Sequence, residues 1–184
     1  FDAGPDHLVR RTSELSKEIR WLAPADGLRD LLEQLDKLGW VDPERRGLCG
    51  LSFGADITSY VISHHDWFRA AVTSGGHFDP AVFYVQARSS RERAEAYGEE
   101  QMIPGDPLVD SLDEWRRLSP ALNVDRINAA LLVNAADSEI FHSTHLFTVM
   151  KERGKPVEMF VFPDERHVKS QPRHRRTIYE RNVD

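Results

Sequence analysis

Apolar residues recur along this chain in two periods, and the switches between them mark its elements. Leu28, Leu31, Leu32 and Leu35 fall at i, i+3, i+4 and i+7, one face of a helix. Asp26 is placed to cap its start and Gly39 to end it, and Asp42-Pro43 then makes a turn. Shorter apolar runs predict strands at about 46–50, 70–74, 130–135 and 157–162. The helical period returns between them. Ile57, Tyr60 and Val61 share a face after the first strand, and Leu146, Phe147 and Met150 point inward from a helix over 143–152.

Strands alternating with helices predict an α/β fold, a mostly parallel sheet flanked by helices. Residues 77–128 interrupt the alternation with charged clusters and the aromatics Phe83, Tyr84 and Trp115. An insertion of this length fits a lid or substrate wall, or else surface helices that cover the sheet. Residues 1–23 are polar and charged and hold no convincing strand.

Composition narrows the class. The 184 residues are 40% hydrophobic and 29% charged, as expected for a globular domain with its own core. The net charge of −6 argues against a nucleic-acid partner. No apolar run is long enough to span a membrane, and the first residues lack the apolar core of a signal peptide. Cys49 is the only cysteine, so neither an internal disulfide nor a cysteine-based zinc site can form. A single thiol fits a reducing compartment and favours a cytoplasmic location.

The candidate chemistry lies at the end of the first strand, in Gly50-Leu51-Ser52-Phe53-Gly54. A G-x-S-x-G pentapeptide arises by chance in roughly one chain in twenty of this length, so its context must decide. Here it stands between a strand and a helix, the setting of a nucleophile elbow. Such a turn lifts the Ser52 hydroxyl out of the sheet and aims the Phe53 N–H at the reacting carbonyl. A serine needs a base, and the base needs an orienting acid. Asp137 follows the strand "AALLVNAA", and His167 follows "VEMFVF" after a short turn. Both therefore sit at the carboxyl edge of the sheet, in the order Ser, Asp, His. Glu139 and Asp164 compete with Asp137 for the acid, and Asp137 is favoured as the residue nearest the strand end. His64 and His65 read as helix terminators. His142 and His145 share a helix face that a metal could use, but no third ligand is evident, so no metal is assigned. His7, His77 and His174 follow no strand.

The residues that carry this pattern, "LGWVDPERRGLCGLSFGA", "LSPALNVDRINAALLV", "DSEI" and "FPDERHVKSQPRHR", resemble the catalytic domain of the prolyl oligopeptidase family of serine peptidases. The resemblance covers about residues 24–184 and implies an α/β-hydrolase fold. By position Ser52, Asp137 and His167 take the nucleophile, acid and base roles, with Phe53 N–H at the oxyanion. Within the family, "NAADSE", "SFGAD" and "GGHFDPAVFY" look most like lasso peptide isopeptidases, which open the ring-closing isopeptide bond of a threaded peptide. That implies a peptide substrate and no cofactor. Phe53 stands where the family commonly has tyrosine. Glu139 stands where relatives place a substrate-facing residue, and it is expected to face the substrate. Such enzymes usually take a second oxyanion donor from a tyrosine ahead of the nucleophile, whereas Tyr60, Tyr84, Tyr97 and Tyr179 all follow Ser52. The residues ahead of the match are too few for the family's first strands and β-propeller. The chain is accordingly expected to be the C-terminal portion of a catalytic domain. Two other readings share these features: a carboxylesterase, and a non-catalytic binding module that keeps the elbow for packing.

Overall fold

The computed structural model describes residues 21–76, 79, 82 and 112–183. The polar N-terminal stretch over 1–20, most of the expected insertion with Phe83 and Tyr84, and His7 and His77 lie outside the described residues. Nine elements carry the architecture: α1 (Ala23–Leu38), β1 (Gly47–Leu51), α2 (Phe53–His64), β2 (Ala70–Ser74), α3 (Leu112–Leu118), β3 (Ala130–Ala136), α4 (Ile140–Glu152), β4 (Val157–Phe162) and α5 (Pro172–Arg181). The strands form one parallel sheet in the order β1-β2-β3-β4. Each crossover carries helix or 3₁₀ structure, as parallel neighbours require.

The four strands fall where the apolar runs predict them. Helix ends are less faithful to the sequence. α1 begins at Ala23 with a proline in its first turn, so Asp26 lies inside the helix rather than capping it. Of the expected apolar face, Leu32 is buried and Leu31 is exposed. Gly39 does end the helix, in the left-handed conformation, with its N–H on Asp36 O.

Strand alternation sorts the two sheet faces. Leu131, Val133 and Ala135 of β3 join Ile62 of α2, Leu146 and Met150 of α4, and Val124 and Ile127 in one buried cluster. Each fully buried aliphatic side chain there is worth about 1.5–3 kcal/mol. Asn134 points to the opposite face, where its Nδ2 donates to Asn182 Oδ1 at 3.0 Å, just past α5. A second cluster wraps the outer side of α2. Trp21, Ala25 and Leu32 meet Ile57, Tyr60 and Val61 there, with Trp115 and Leu118 of α3. Residues 112–118, within the expected insertion, thus contribute to the core around α1 and α2.

All four strands run the same way, so their carboxyl ends share one edge. Leu51 pairs with Ser74, Ser74 with Asn134, and Ala136 with Phe162. The segments that leave this edge carry Ser52, Gly75, Glu139 and His167.

Candidate active site

Ser52 follows the last residue of β1 and precedes the first of α2. Its backbone has φ 59° and ψ −126°. A residue with a side chain adopts that conformation only under strain, about 1–3 kcal/mol, which the surroundings must offset. Three hydrogen bonds fix it. Ser52 N–H donates to Ser74 O at 2.9 Å, and Ser52 O accepts from Ala55 N–H at 2.8 Å and Asp56 N–H at 3.3 Å. Gly50 allows the helix to approach, because a β-carbon there would overlap the carbonyl group of Gly54 and the Thr58 hydroxyl. Gly54 itself has no such constraint among the described residues, for a β-carbon there meets nothing within 4 Å. Only the first motif glycine is thus required for packing. Phe53 opens α2 with its ring partly exposed, at 44%.

His167 lies past β4, on the loop that leads to α5. Its Nδ1 donates to Glu139 Oε1 at 2.9 Å. A carboxylate only accepts, so this contact keeps the ring proton on Nδ1 and leaves Nε2 as the acceptor. Gly75, at φ +59° just past β2, lies against the pair: a β-carbon there would stand 3.0 Å from His167 Nδ1 and 3.2 Å from Glu139 Oε2. Its neighbour Ser74 supplies the carbonyl that holds Ser52 N–H. The end of β2 therefore touches both the elbow and the histidine pair.

The sequence favours Asp137 as the partner of His167, and the structure places Glu139 there instead. Asp137 is occupied by backbone. Its Oδ2 accepts from Asp164 N–H at 2.8 Å, and its Oδ1 from Ser138 N–H at 2.9 Å and Glu165 N–H at 3.3 Å. The Asp164 N–H bond, aided by the amides of Glu165 and Ser138, holds the Asp137 carboxyl below its ordinary range. A 3₁₀ turn over Asp137–Glu139 carries the chain around and delivers Glu139 to the ring. Glu139 consequently bonds the histidine, where a substrate-facing position is expected. Asp164 serves the turn, with φ 56° and its N–H on Asp137.

A second histidine–carboxylate pair braces the same loop. Glu165 Oε1 accepts from His174 Nδ1 at 2.9 Å and Gln171 N–H at 3.0 Å, and its Oε2 from Ser170 N–H at 2.8 Å. Burial pushes the Glu165 carboxyl up, but those amides and His174 more than offset this and hold it below its usual value. Glu165 thus anchors the entry to α5 and sets the loop that carries His167. The sequence singles out neither Gly75, Glu165 nor Lys169, and His174 is set aside there because it follows no strand. Only their closeness to the strand ends and to His167 marks them.

The other histidines have structural or unassigned places. His64 bonds Tyr60 O at 2.8 Å and Arg117 O at 2.7 Å, tying the end of α2 to α3. Burial pushes its pKa down. His145 has both ring nitrogens buried without a hydrogen-bond partner, and burial lowers its pKa as well. Among the described residues no three His, Cys, Asp or Glu side chains gather as a metal would require. No helix there is long and apolar enough to cross a membrane.

The chain is similar to several known proteins. The lasso peptide isopeptidase AtxE2 of Asticcacaulis excentricus is 36% identical over 161 residues, covering 85% of this chain and 22% of that protein. Dipeptidyl-peptidase 5 of Porphyromonas endodontalis is 25% identical over 80% of the chain and 22% of its own length. The chain thus spans about a fifth of these relatives. A solved AtxE2 isopeptidase, a serine-to-alanine variant with Astexin3-dC4 bound, superposes with a TM-score of 0.78 at 31% identity, over 98% of this chain and 27% of that one. The acylaminoacyl peptidase of Pyrococcus horikoshii gives 0.70 at 25% identity, over 84% and 26%. These neighbours are α/β-hydrolase peptidases, and the parallel sheet with its flanking helices is that fold. The model of the prolyl oligopeptidase family matches residues 16–184, and the chain belongs to that family.

Proposed function

We propose that the protein is a serine peptidase that hydrolyses peptide or isopeptide bonds through an acyl-enzyme, with a lasso peptide as its substrate class. The observation that carries this is the Glu139–His167 bond of 2.9 Å, set against Gly75 at the edge that also holds the strained Ser52. In this reading Ser52 Oγ attacks the scissile carbonyl. His167 Nε2 takes the hydroxyl proton and later gives it to the leaving amine. Glu139 holds the ring by Nδ1 and stabilises the imidazolium, the role expected of Asp137. Phe53 N–H, at the first turn of α2, meets the developing oxyanion, where the helix dipole adds favourable potential. Asp137 and Glu165 shape the loops that present Glu139 and His167. The 36% identity to an enzyme named for lasso peptide isopeptidase activity supports the substrate class.

The test is covalent labelling of the full-length protein with a fluorophosphonate, followed by peptide mapping. Label at Ser52, lost in Ser52→Ala, is the expected result, and label elsewhere would refute the assignment. Substrate class is read from paired substrates: a threaded peptide closed by an isopeptide bond, its linear counterpart, and matched ester and amide compounds. Cleavage of the threaded peptide at its isopeptide bond supports the reading. Hydrolysis of esters alone would turn it towards a carboxylesterase.

A further inference from the structure

Lys169 is buried, with 7% of its surface exposed, two residues beyond His167. Burying an ammonium is costly, and an apolar side chain in its place is often neutral or stabilising. Its one hydrogen bond among the described residues runs to Ser74 Oγ, at 2.9 Å. Ser74 Oγ in turn donates to Asn134 O at 3.1 Å, and the carbonyl of Ser74 holds Ser52 N–H at 2.9 Å. The lysine therefore clamps the histidine loop onto the one residue that already fixes the elbow.

Its charge has a specific neighbour. Burial lowers the Lys169 pKa, and the negative charges of Glu139 and Glu165 oppose that shift. Glu165 already accepts from two backbone amides and from His174, so its charge is well served. Glu139 is not: Oε1 is on His167, while Oε2 is buried with no hydrogen-bond partner among the described residues. Among the described residues, the carboxylates of Glu139 after β3 and Glu165 on its own loop act on the lysine. β2 contributes only the Ser74 hydroxyl. Asp137 is engaged by backbone amides, which leaves the lysine as the cation for Glu139.

We propose that Lys169 is a positioning residue. Its ammonium locks the His167 loop to the end of β2 through Ser74 and supplies a counter-charge beside the Glu139 carboxylate that bonds His167. The inference rests on the reading of Glu139 and His167 given above.

The experiment compares wild type, Lys169→Met and Lys169→Arg in the full-length protein. It measures the fluorophosphonate labelling rate at Ser52, kcat and KM against pH, and thermal midpoint. Lys169→Met is expected to match or exceed wild-type thermal stability. Its kcat should fall roughly ten- to a hundredfold with KM little changed, the scale of a misplaced catalytic pair. The acid limb of its labelling rate should move up by about one pH unit, because an uncompensated Glu139 favours the protonated ring. Lys169→Arg keeps the charge and should restore most of the rate and the wild-type limb. A Lys169→Met protein with wild-type kcat and pH profile would overturn the proposal. So would a loss of activity that follows a loss of stability in both variants with the profile unmoved, which would make the lysine a structural anchor. Failure of the wild type to label at Ser52 is a separate outcome: it defeats the peptidase reading itself, and this inference with it.

Discussion

Gly75 and His167 approach closely across the sheet edge: a β-carbon on Gly75 would lie 3.0 Å from Nδ1, so the ring would have to give way to a methyl group. That is tighter than ordinary van der Waals contact, and the φ of +59° adds strain for any side chain. Gly75→Ala should therefore displace the His167–Glu139 pair. A displacement of this kind costs on the order of a hundredfold in kcat. The readout is kcat with a thermal midpoint beside it. A Gly75→Ala enzyme of wild-type turnover would mean that the pair is not held where it reacts.

The two acidic residues of the turn after β3 should separate by function. Glu139→Gln keeps the shape and removes the charge that holds the His167 tautomer. Loss of the orienting acid in a serine triad costs on the order of ten-thousandfold in kcat. Asp137→Asn touches no ring atom and disturbs only the loop, so its cost should stay below roughly a hundredfold. Kinetics on the same substrate for both variants decide between them. The reverse ranking would return the acid role to Asp137.

Much of this was legible in the sequence, for identifiable reasons. Short apolar runs bounded by turn residues read as strands, so β2 and β4 are found to the residue. Ser52 was legible because a strained turn constrains the identities of its neighbours. The choice between Asp137 and Glu139 was not, since chain order places both at the strand end. It depends on a three-residue 3₁₀ turn, and on which carboxylate the backbone amides of Asp164 and Glu165 claim. The end of β2 was illegible for a different reason. Ser74 and Gly75 act through a carbonyl, a hydroxyl and an absent β-carbon, and no motif encodes those.

The Asp137 clasp also predicts a pH effect. Its carboxyl is held below the ordinary value of 3.8 in the folded protein, chiefly by Asp164 N–H. A depressed carboxyl contributes stability that is present above that value and is lost as pH falls through the folded one. Wild type should thus lose stability on acidification partly through this group. Asp137→Asn should start less stable at neutral pH and show a shallower decline below about pH 4. Denaturant midpoints across that range test it. Parallel curves for the two proteins would mean that the carboxylate makes no such contribution.

The two glycines of the elbow should respond differently to a single methyl group. At Gly50 a β-carbon would overlap backbone atoms of Gly54, the first turn of α2, and the Thr58 hydroxyl that donates to Gly54 O at 2.8 Å. Neither the strand end nor the helix can yield, because Ser52 N–H and O are both engaged between them. Overpacking a core by so much costs about 1–3 kcal/mol or more, so Gly50→Ala should lower the denaturant midpoint sharply or prevent folding. At Gly54 the added carbon meets nothing within 4 Å among the described residues, and no left-handed backbone is required. Alanine is a better helix former than glycine by about 1 kcal/mol, so Gly54→Ala should hold or raise stability. Equilibrium unfolding of both variants gives the comparison. If Gly54→Ala proves as damaging as Gly50→Ala, the second glycine is needed for an approach at the elbow that the described residues do not supply.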